Sequence, residues 1–302
     1  MNAAKKATIL AILAAALYAL MAPVSKLLQA TVPPVKEAGL LYVGAGLGMA
    51  AIIALERASG HTSSHPSIQR SDLRFVVTMV ILDMAAPILL MLGLAHTPPQ
   101  VVSLLNNFEI VATTVIAVFL FREKVSSLLV RAIVIITCAC MLLSFEGTEA
   151  LRLTPGALLV LGACVCWGFE NNCTASLAER DVRQVVLIKG LGSGAGSLVV
   201  SAIAGEGAAS TGDCLAVMVL GFFSVGLSVW CYVRAQAQLG AARTSAFYAT
   251  SPFIGAILGM VMTRELPGLR FWVAFALMAL GVWLSVRDAT ESASLVLVTS
   301  DE

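Results

Sequence analysis

Polar positions along this chain gather in short clusters, and the stretches between them stay apolar for about twenty residues at a time, the length an α-helix needs to cross a bilayer. Ten such stretches can be read, at 7–30, 35–55, 73–95, 101–121, 125–145, 155–177, 185–204, 215–236, 244–262 and 269–286. The connections are short. The longest, 57–72, is polar and carries His61 and His65, which places two of the three histidines in solvent rather than in a site. No room is left for a water-soluble domain, so the pattern predicts an all-α integral membrane protein with ten transmembrane helices.

One phrase in the pattern occurs twice. Residues 98–124 run from a polar start through an apolar span to Arg122-Glu123-Lys124, and another apolar run follows at once; residues 242–268 repeat this, with Arg264-Glu265 before the last run. Fainter traces keep the same order: Tyr18-Ala19 against Trp167-Gly168, and Gly44, Gly46 and Gly48 against Gly192, Gly194 and Gly196. An odd number of spans per half forces the second copy into the membrane upside down. The predicted arrangement is therefore two inverted five-helix repeats, 1–148 and 149–288, around a central cavity, with a tail at 289–302.

Composition sharpens the class. Hydrophobic residues make up 59% of the chain and charged residues 12%, against about 25% charged in soluble domains, and the mean hydropathy is +0.91. With a formal net charge of +1 and no long basic run, nucleic acid is excluded as a partner. Position matters more than sum. With the N-terminus cytoplasmic, eleven basic residues (Lys5, Lys6, Arg57, Arg70, Arg74, Arg122, Lys124, Arg180, Arg183, Arg243, Arg287) fall inside and four (Lys36, Arg152, Arg264, Arg270) outside, which predicts both termini in the cytoplasm. Lys5 and Lys6 before an apolar run resemble a signal peptide, but the run is long enough to span and completes the even division into halves. The seven cysteines sit mostly within apolar runs and act as small hydrophobes; the pairs 138/140 and 164/166 lack the histidine or acidic partners of a zinc site, so neither metal nor other cofactor is expected.

Polar groups at membrane depth are the candidate chemistry, because burial in hydrocarbon is costly unless a bundle interior or water-filled cavity receives them. Ser103, Asn106, Asn107, Thr113 and Thr114 form a stripe in the fourth span around Glu109, and Thr244, Tyr248 and Ser251 a second in the ninth. Facing stripes would line a cavity; the alternative is that they only bond neighbouring helices. Trp167, Glu170, Asn171 and Thr174 share a face of the sixth span, and Tyr18 and Ser25 one of the first, with Lys26 near its outer end. An amphipathic ring beside acid and amide groups suits an amino acid with an apolar side chain. Pro23 predicts a break or bend in the first span, while Pro87 and Pro252 are candidate hinges. Glu170 and Lys189 are expected to pair. Asp83 and Glu109 have no evident basic partner at their depth and are read either as proton carriers or as neutral hydrogen-bonding acids. The glycine strings Gly44-x3-Gly48, Gly190-x3-Gly194 and Gly255-x3-Gly259 lack the strand and lysine of a nucleotide loop and are read as close helix packing.

The ten short-looped spans, the aromatic-small pairs Tyr18-Ala19 and Trp167-Gly168, Lys26, and the Arg-Glu before the last span of each half resemble the drug/metabolite transporter superfamily, and within it most closely the YddG-type exporters of aromatic amino acids. Tyr18-Ala19 departs from the Trp-Gly common in the family. The resemblance covers nearly the whole chain. It implies a cavity lined by helices one to four and six to nine, with five and ten at the periphery, in the inner (plasma) membrane. On that basis Tyr18, Asn106, Asn107, Glu109, Trp167, Glu170, Asn171, Tyr248 and Ser251 are the expected substrate-binding residues, and Lys26, Asp83, Pro87 and Pro252 the candidates for gating or coupling. The expected activity is alternating-access export of small amphipathic metabolites, aromatic and other hydrophobic amino acids first among them. A nucleotide-sugar carrier is the alternative within transport, and it needs several basic residues converging on phosphate. An intramembrane enzyme is the alternative outside it, but no catalytic motif such as His-Glu-x-x-His or Gly-x-Ser-x-Gly occurs.

Overall fold

The computed structural model describes residues 3–59, 66–122, 125–146, 152–175, 177, 180–239 and 241–300. Ser64, Glu123, Lys124 and the 148/149 boundary between the expected halves lie outside the described residues. Among the described residues, nine helices are long and apolar enough to cross a membrane. The sequence pattern called for ten. The difference is the helix Pro155–Ala175, continuous over 21 residues, whose last turns carry Glu170, Asn171 and Asn172 and so lower its apolar character.

In chain order the helices are α1 (Ala3–Ala19), α2 (Met21–Leu28), α3 (Pro34–Ala58), α4 (Leu73–Ala95), α5 (Pro99–Leu105), α6 (Phe108–Phe121), α7 (Ser127–Ser144), α8 (Pro155–Ala175), α9 (Val182–Ile203), α10 (Thr211–Gly221), α11 (Ser228–Leu239), α12 (Ala241–Tyr248), α13 (Ser251–Thr263) and α14 (Leu269–Ser300). A two-residue antiparallel ladder, Phe145–Glu146 with Arg152–Leu153, links α7 to α8. A π-helical segment, Phe222–Leu227, joins α10 to α11 within one span.

Three spans are broken, each for a local reason. A proline ring collides with the carbonyl four residues back and removes the hydrogen bond to it. Pro23 and Pro252 therefore end α1 at Ala19 and α12 at Tyr248, four residues before each. Pro252 thus sits in the first turn of α13, where its missing N–H costs nothing, rather than in a helix interior. Pro87 stays inside an unbroken α4. The break between α5 and α6 has no proline; there Asn107 Nδ2 donates to the Leu104 carbonyl at 3.1 Å, a side-chain competitor for the helix's own bonding.

Around the bundle α3 runs against α9 and α10, α4 against α8 and α9, α1 against α11 and α13, α6 against α8, and α5 against α13; α7 and α14 pair with each other. Glycines set the closest of these approaches. A Cβ on Gly44 would stand 2.0 Å from the Met218 carbonyl oxygen, one on Gly221 1.9 Å from that of Leu41, and one on Gly190 2.6 Å from the Gly46 backbone. The glycine strings are thus packing surfaces, as small residues at membrane helix seams generally are. The outward faces carry exposed apolar side chains such as Ile81, Phe119, Ile203, Val261 and Trp283, which suits contact with lipid.

Both α6 and α13 end on an arginine in the left-handed conformation, Arg122 at φ 55° and Arg264 at φ 56°, an uncommon backbone for a side chain of that size. These two are the only non-glycine residues with positive φ among the described residues.

Candidate functional site

The broken spans meet at a cavity of about 400 Å³. Tyr18 enters at the end of α1, Asn106 and Asn107 at the α5–α6 break, Glu109 from the first turn of α6, Trp167, Glu170 and Asn171 from α8, and Tyr248, Ser251 and Pro252 from the α12–α13 break. All nine residues read from the sequence as substrate-binding thus border one space. The cavity extends to Thr174 and Val182 at the α8–α9 turn, which marks the end of the bundle it faces.

Its walls are mainly apolar and aromatic. Tyr18 and Tyr248 approach with ring centroids 5.6 Å apart, and Tyr232 meets Tyr248 edge-on at 5.1 Å, so Tyr248 is wedged between two rings. Its hydroxyl lies 3.4 Å from Ser228 Oγ, and that serine donates to the Ala14 carbonyl at 2.8 Å. Trp167, 7% exposed, and Tyr42 add two more rings to the lining. Val225 of the π-helical segment and Val229 of α11 close one side. A π-turn displaces the helix register and often occurs at functional sites.

Two polar clusters interrupt these walls. Asn171 Nδ2 donates to Glu109 Oε1 at 2.7 Å and to Thr113 Oγ1 at 3.2 Å, tying α8 to α6. Across the space, Lys189 Nζ lies 2.9 Å from Asp83 Oδ2 and 3.1 Å from Glu170 Oε1, while Thr174 Oγ1 donates to Glu170. Glu170 and Lys189 pair as the sequence led one to expect. Asp83 departs from expectation, because it does have a basic partner: α9 packs along α4 and brings Lys189 to its depth. Asp83 is fully buried behind the lining, and Tyr42 Oη donates to it at 3.4 Å.

Four sequence candidates are not among the residues that line the cavity. Lys26 Nζ donates to the carbonyls of Leu94 at 2.5 Å and Ala95 at 3.0 Å, the end of α4, where a cation complements the helix dipole. Pro87 and Asp83 lie on α4, which contributes no lining residue among those described, although the resemblance implied that the third span would. Ser103, assigned to the polar stripe, is buried against Gly255 on α13 behind Tyr18, Asn106 and Ser251. Sequence reading missed Tyr42 and the valines of α9 and α11, since an apolar or ring side chain in an apolar helix gives no signal of the side it faces. It also missed an ion network near the α8–α9 turn, where Glu56 on α3 is held by Arg183 of α9 and by Arg234 of α11 at 2.6 Å, and Arg180 reaches Asp72 at 2.8 Å.

Comparison with known proteins bears on the family and the fold. The model of the family described as "EamA-like transporter family" matches residues 5–145 and 154–287. A protein of Methanothermobacter thermautotrophicus described as an uncharacterized transporter is 24% identical over 283 residues, covering 88% of this chain and 82% of its own. A protein of known crystal structure aligns with a TM-score of 0.65 at 20% identity over 95% of this chain and 98% of its own, a likeness of fold.

Proposed function

The chain belongs to the EamA-like transporter family, and on that premise we propose that it exports aromatic and other hydrophobic amino acids by alternating access, in the manner of the YddG-type carriers. The observation that carries the substrate class is the cavity itself. It is walled by Tyr18, Tyr42, Trp167 and Tyr248, offers hydrogen-bonding groups at Glu109 and Asn171, and has a volume suited to one small amphipathic molecule. The nucleotide-sugar alternative is disfavoured by the same lining. Among the described lining residues the only basic one is Lys189, already engaged by two carboxylates, so no cluster of cations awaits a phosphate. As a member of a transporter family with a pocket of this kind, the protein is read as a carrier and not as an enzyme.

The alternating-access reading draws on an internal symmetry. The pairings α4 with α8, α6 with α8 and α4 with α9 recur as α11 with α1, α13 with α1 and α10 with α3 when the first five spans are exchanged for the last five. The breaks at Asn106–Asn107 and Ala249–Thr250, and the left-handed arginines 122 and 264, occupy matching places in the two sets. We read this as ten spans in two inverted repeats, with α8 as the sixth, the termini in the cytoplasm and the cavity facing that side of the inner membrane.

Counterflow in proteoliposomes with a panel of labelled compounds tests the substrate class. Phenylalanine, tyrosine and tryptophan should exchange, and sugar nucleotides should not; exchange of sugar nucleotides without amino acids would overturn the proposal.

A further inference from the structure

At the end of the bundle away from the α8–α9 turn, the start of α3 carries a buried carboxyl group that the cavity does not use. Glu37, one turn into α3, is 0% exposed, and among the described residues no basic side chain pairs with it. Ser25 and Gln29, four residues apart and so on one face of α2, adjoin it. Ser25 is also 0% exposed, and Ser25 Oγ and Gln29 Oε1 have no other partner among the described residues. The nitrogen of Gln29 is engaged elsewhere, donating to the Met91 carbonyl at 2.9 Å. The atoms gathered here are oxygens, and the Ser25 hydroxyl carries the one O–H among them.

The charged groups on the surrounding elements do not neutralise it. Lys26 of α2 is turned to the Leu94 and Ala95 carbonyls, and Lys36 Nζ donates to the Gly207 carbonyl. Glu206 caps the first turn of α3 by accepting from the N–H groups of Val35 at 3.0 Å and Lys36 at 2.7 Å. Lys189 of α9 is held by Asp83 and Glu170. Asp213 of α10 accepts from Ser210 at 2.8 Å, and His96 at the end of α4 is exposed. A buried carboxyl with a hydroxyl and an amide beside it but no cation is unstable as an anion, so the positive charge or proton must come from outside the protein.

We propose that Glu37, with Ser25 and Gln29, forms a site at which one monovalent cation, a proton or a sodium ion, is bound and released in each transport cycle. The inference rests on the alternating-access reading above. A hard cation is satisfied by carboxylate, amide and hydroxyl oxygens, and a proton by the acid itself with Gln29 Oε1 as acceptor. A divalent ion is a poor fit, since no cluster of three His, Cys, Asp or Glu occurs among the described residues. The placement supplies the coupling. Glu37 lies five residues from the cavity-lining Tyr42 on the same helix, about 7.5 Å along its axis. It is sealed while the cavity faces the α8–α9 turn, and opening this end of the bundle to face the cavity the other way would expose it.

Reaction of the wild-type protein in liposomes with dicyclohexylcarbodiimide, which modifies protonated carboxyls in apolar surroundings, tests the site without a substrate. Peptide mass spectrometry would then locate the label. For a proton, modification at Glu37 should fall at least about tenfold from about pH 6 to about pH 9. For sodium it should fall at fixed pH on adding sodium chloride and not on adding choline chloride. Modification indifferent to both series, or none at Glu37 while Glu109 is labelled, would overturn the proposal. A second measurement follows labelled phenylalanine. With one proton per substrate, a one-unit pH step should drive about tenfold accumulation, lost in Glu37→Gln; accumulation undiminished in that variant would also overturn it. If phenylalanine is not carried at all, the amino-acid reading fails while the carbodiimide result still decides the cation site.

Discussion

Lys189 Nζ stands 2.9 Å from Asp83 Oδ2, and through this contact α9 supplies the counter-charge for an acid buried on α4. The same ammonium also reaches Glu170, so one lysine holds two carboxylates at the edge of the cavity.

Removing it should leave both acids without a counter-charge, each with only a hydroxyl donor, Tyr42 for Asp83 and Thr174 for Glu170. Lys189→Met is expected to destabilise the folded protein by about 3–5 kcal/mol, the usual consequence of breaking a buried pair from one side. Adding Asp83→Asn should recover part of that loss. Thermal melts in detergent at a fixed scan rate would show it, and a variant as stable as wild type would deny the pair its structural role.

The α3–α10 crossing has no room for a methyl group. Gly44→Ala and Gly221→Ala place a carbon 2.0 Å and 1.9 Å from backbone oxygens, so the helices must separate. A loss of at least about 1–3 kcal/mol is expected, seen as a shrunken monodisperse peak on size exclusion. Gly268→Ala, which meets nothing within 4 Å, is the control and should behave as wild type.

Within the cavity, Trp167→Ala and Tyr248→Ala each remove one aromatic wall. An aromatic contact contributes about 0.5–1.5 kcal/mol beyond its area, so KM for phenylalanine should rise roughly two- to tenfold. Alanine and other small amino acids should be less affected. Both variants keeping the wild-type rate and preference would mean that the substrate lies elsewhere.

Cysteine-accessibility tagging reads the orientation directly. With both termini cytoplasmic, a cysteine placed at Gly207 should react with an impermeant reagent added outside, and one at Ser64 only after permeabilisation. The reverse pattern would invert the topology and turn the cavity to the outer side.

The spans were legible because desolvation acts on one helix at a time: the run at 73–95 coincides with α4, and the count of ten departs from the nine apolar spans of the described residues at α8, with its polar end. The breaks at Ala19 and Tyr248 follow from Pro23 and Pro252 by a rule that a sequence displays. The break at Asn106–Asn107 rests on a side-chain bond it does not. Depth along a helix can be counted from residues, but the neighbour at that depth cannot, which is why Glu170 with Lys189 was within reach and Asp83 with Lys189 was not. Glu37 passed unnoticed for a related reason. One turn into a span, it reads as an interfacial acid until α2 is seen to cover it.

The cap on α3 has a consequence in time. The Glu206 carboxylate that accepts from the Lys36 N–H is synthesised 170 residues later. At about 5–20 residues per second the ribosome needs roughly ten to thirty seconds to deliver it. Through that interval the early helices wait in the bilayer with α3 uncapped, and Asp83 waits for its lysine through the shorter stretch from 83 to 189. The early helices are therefore inserted before their packing can be finished, and the arrival of α9 and α10 is the step that assembles them.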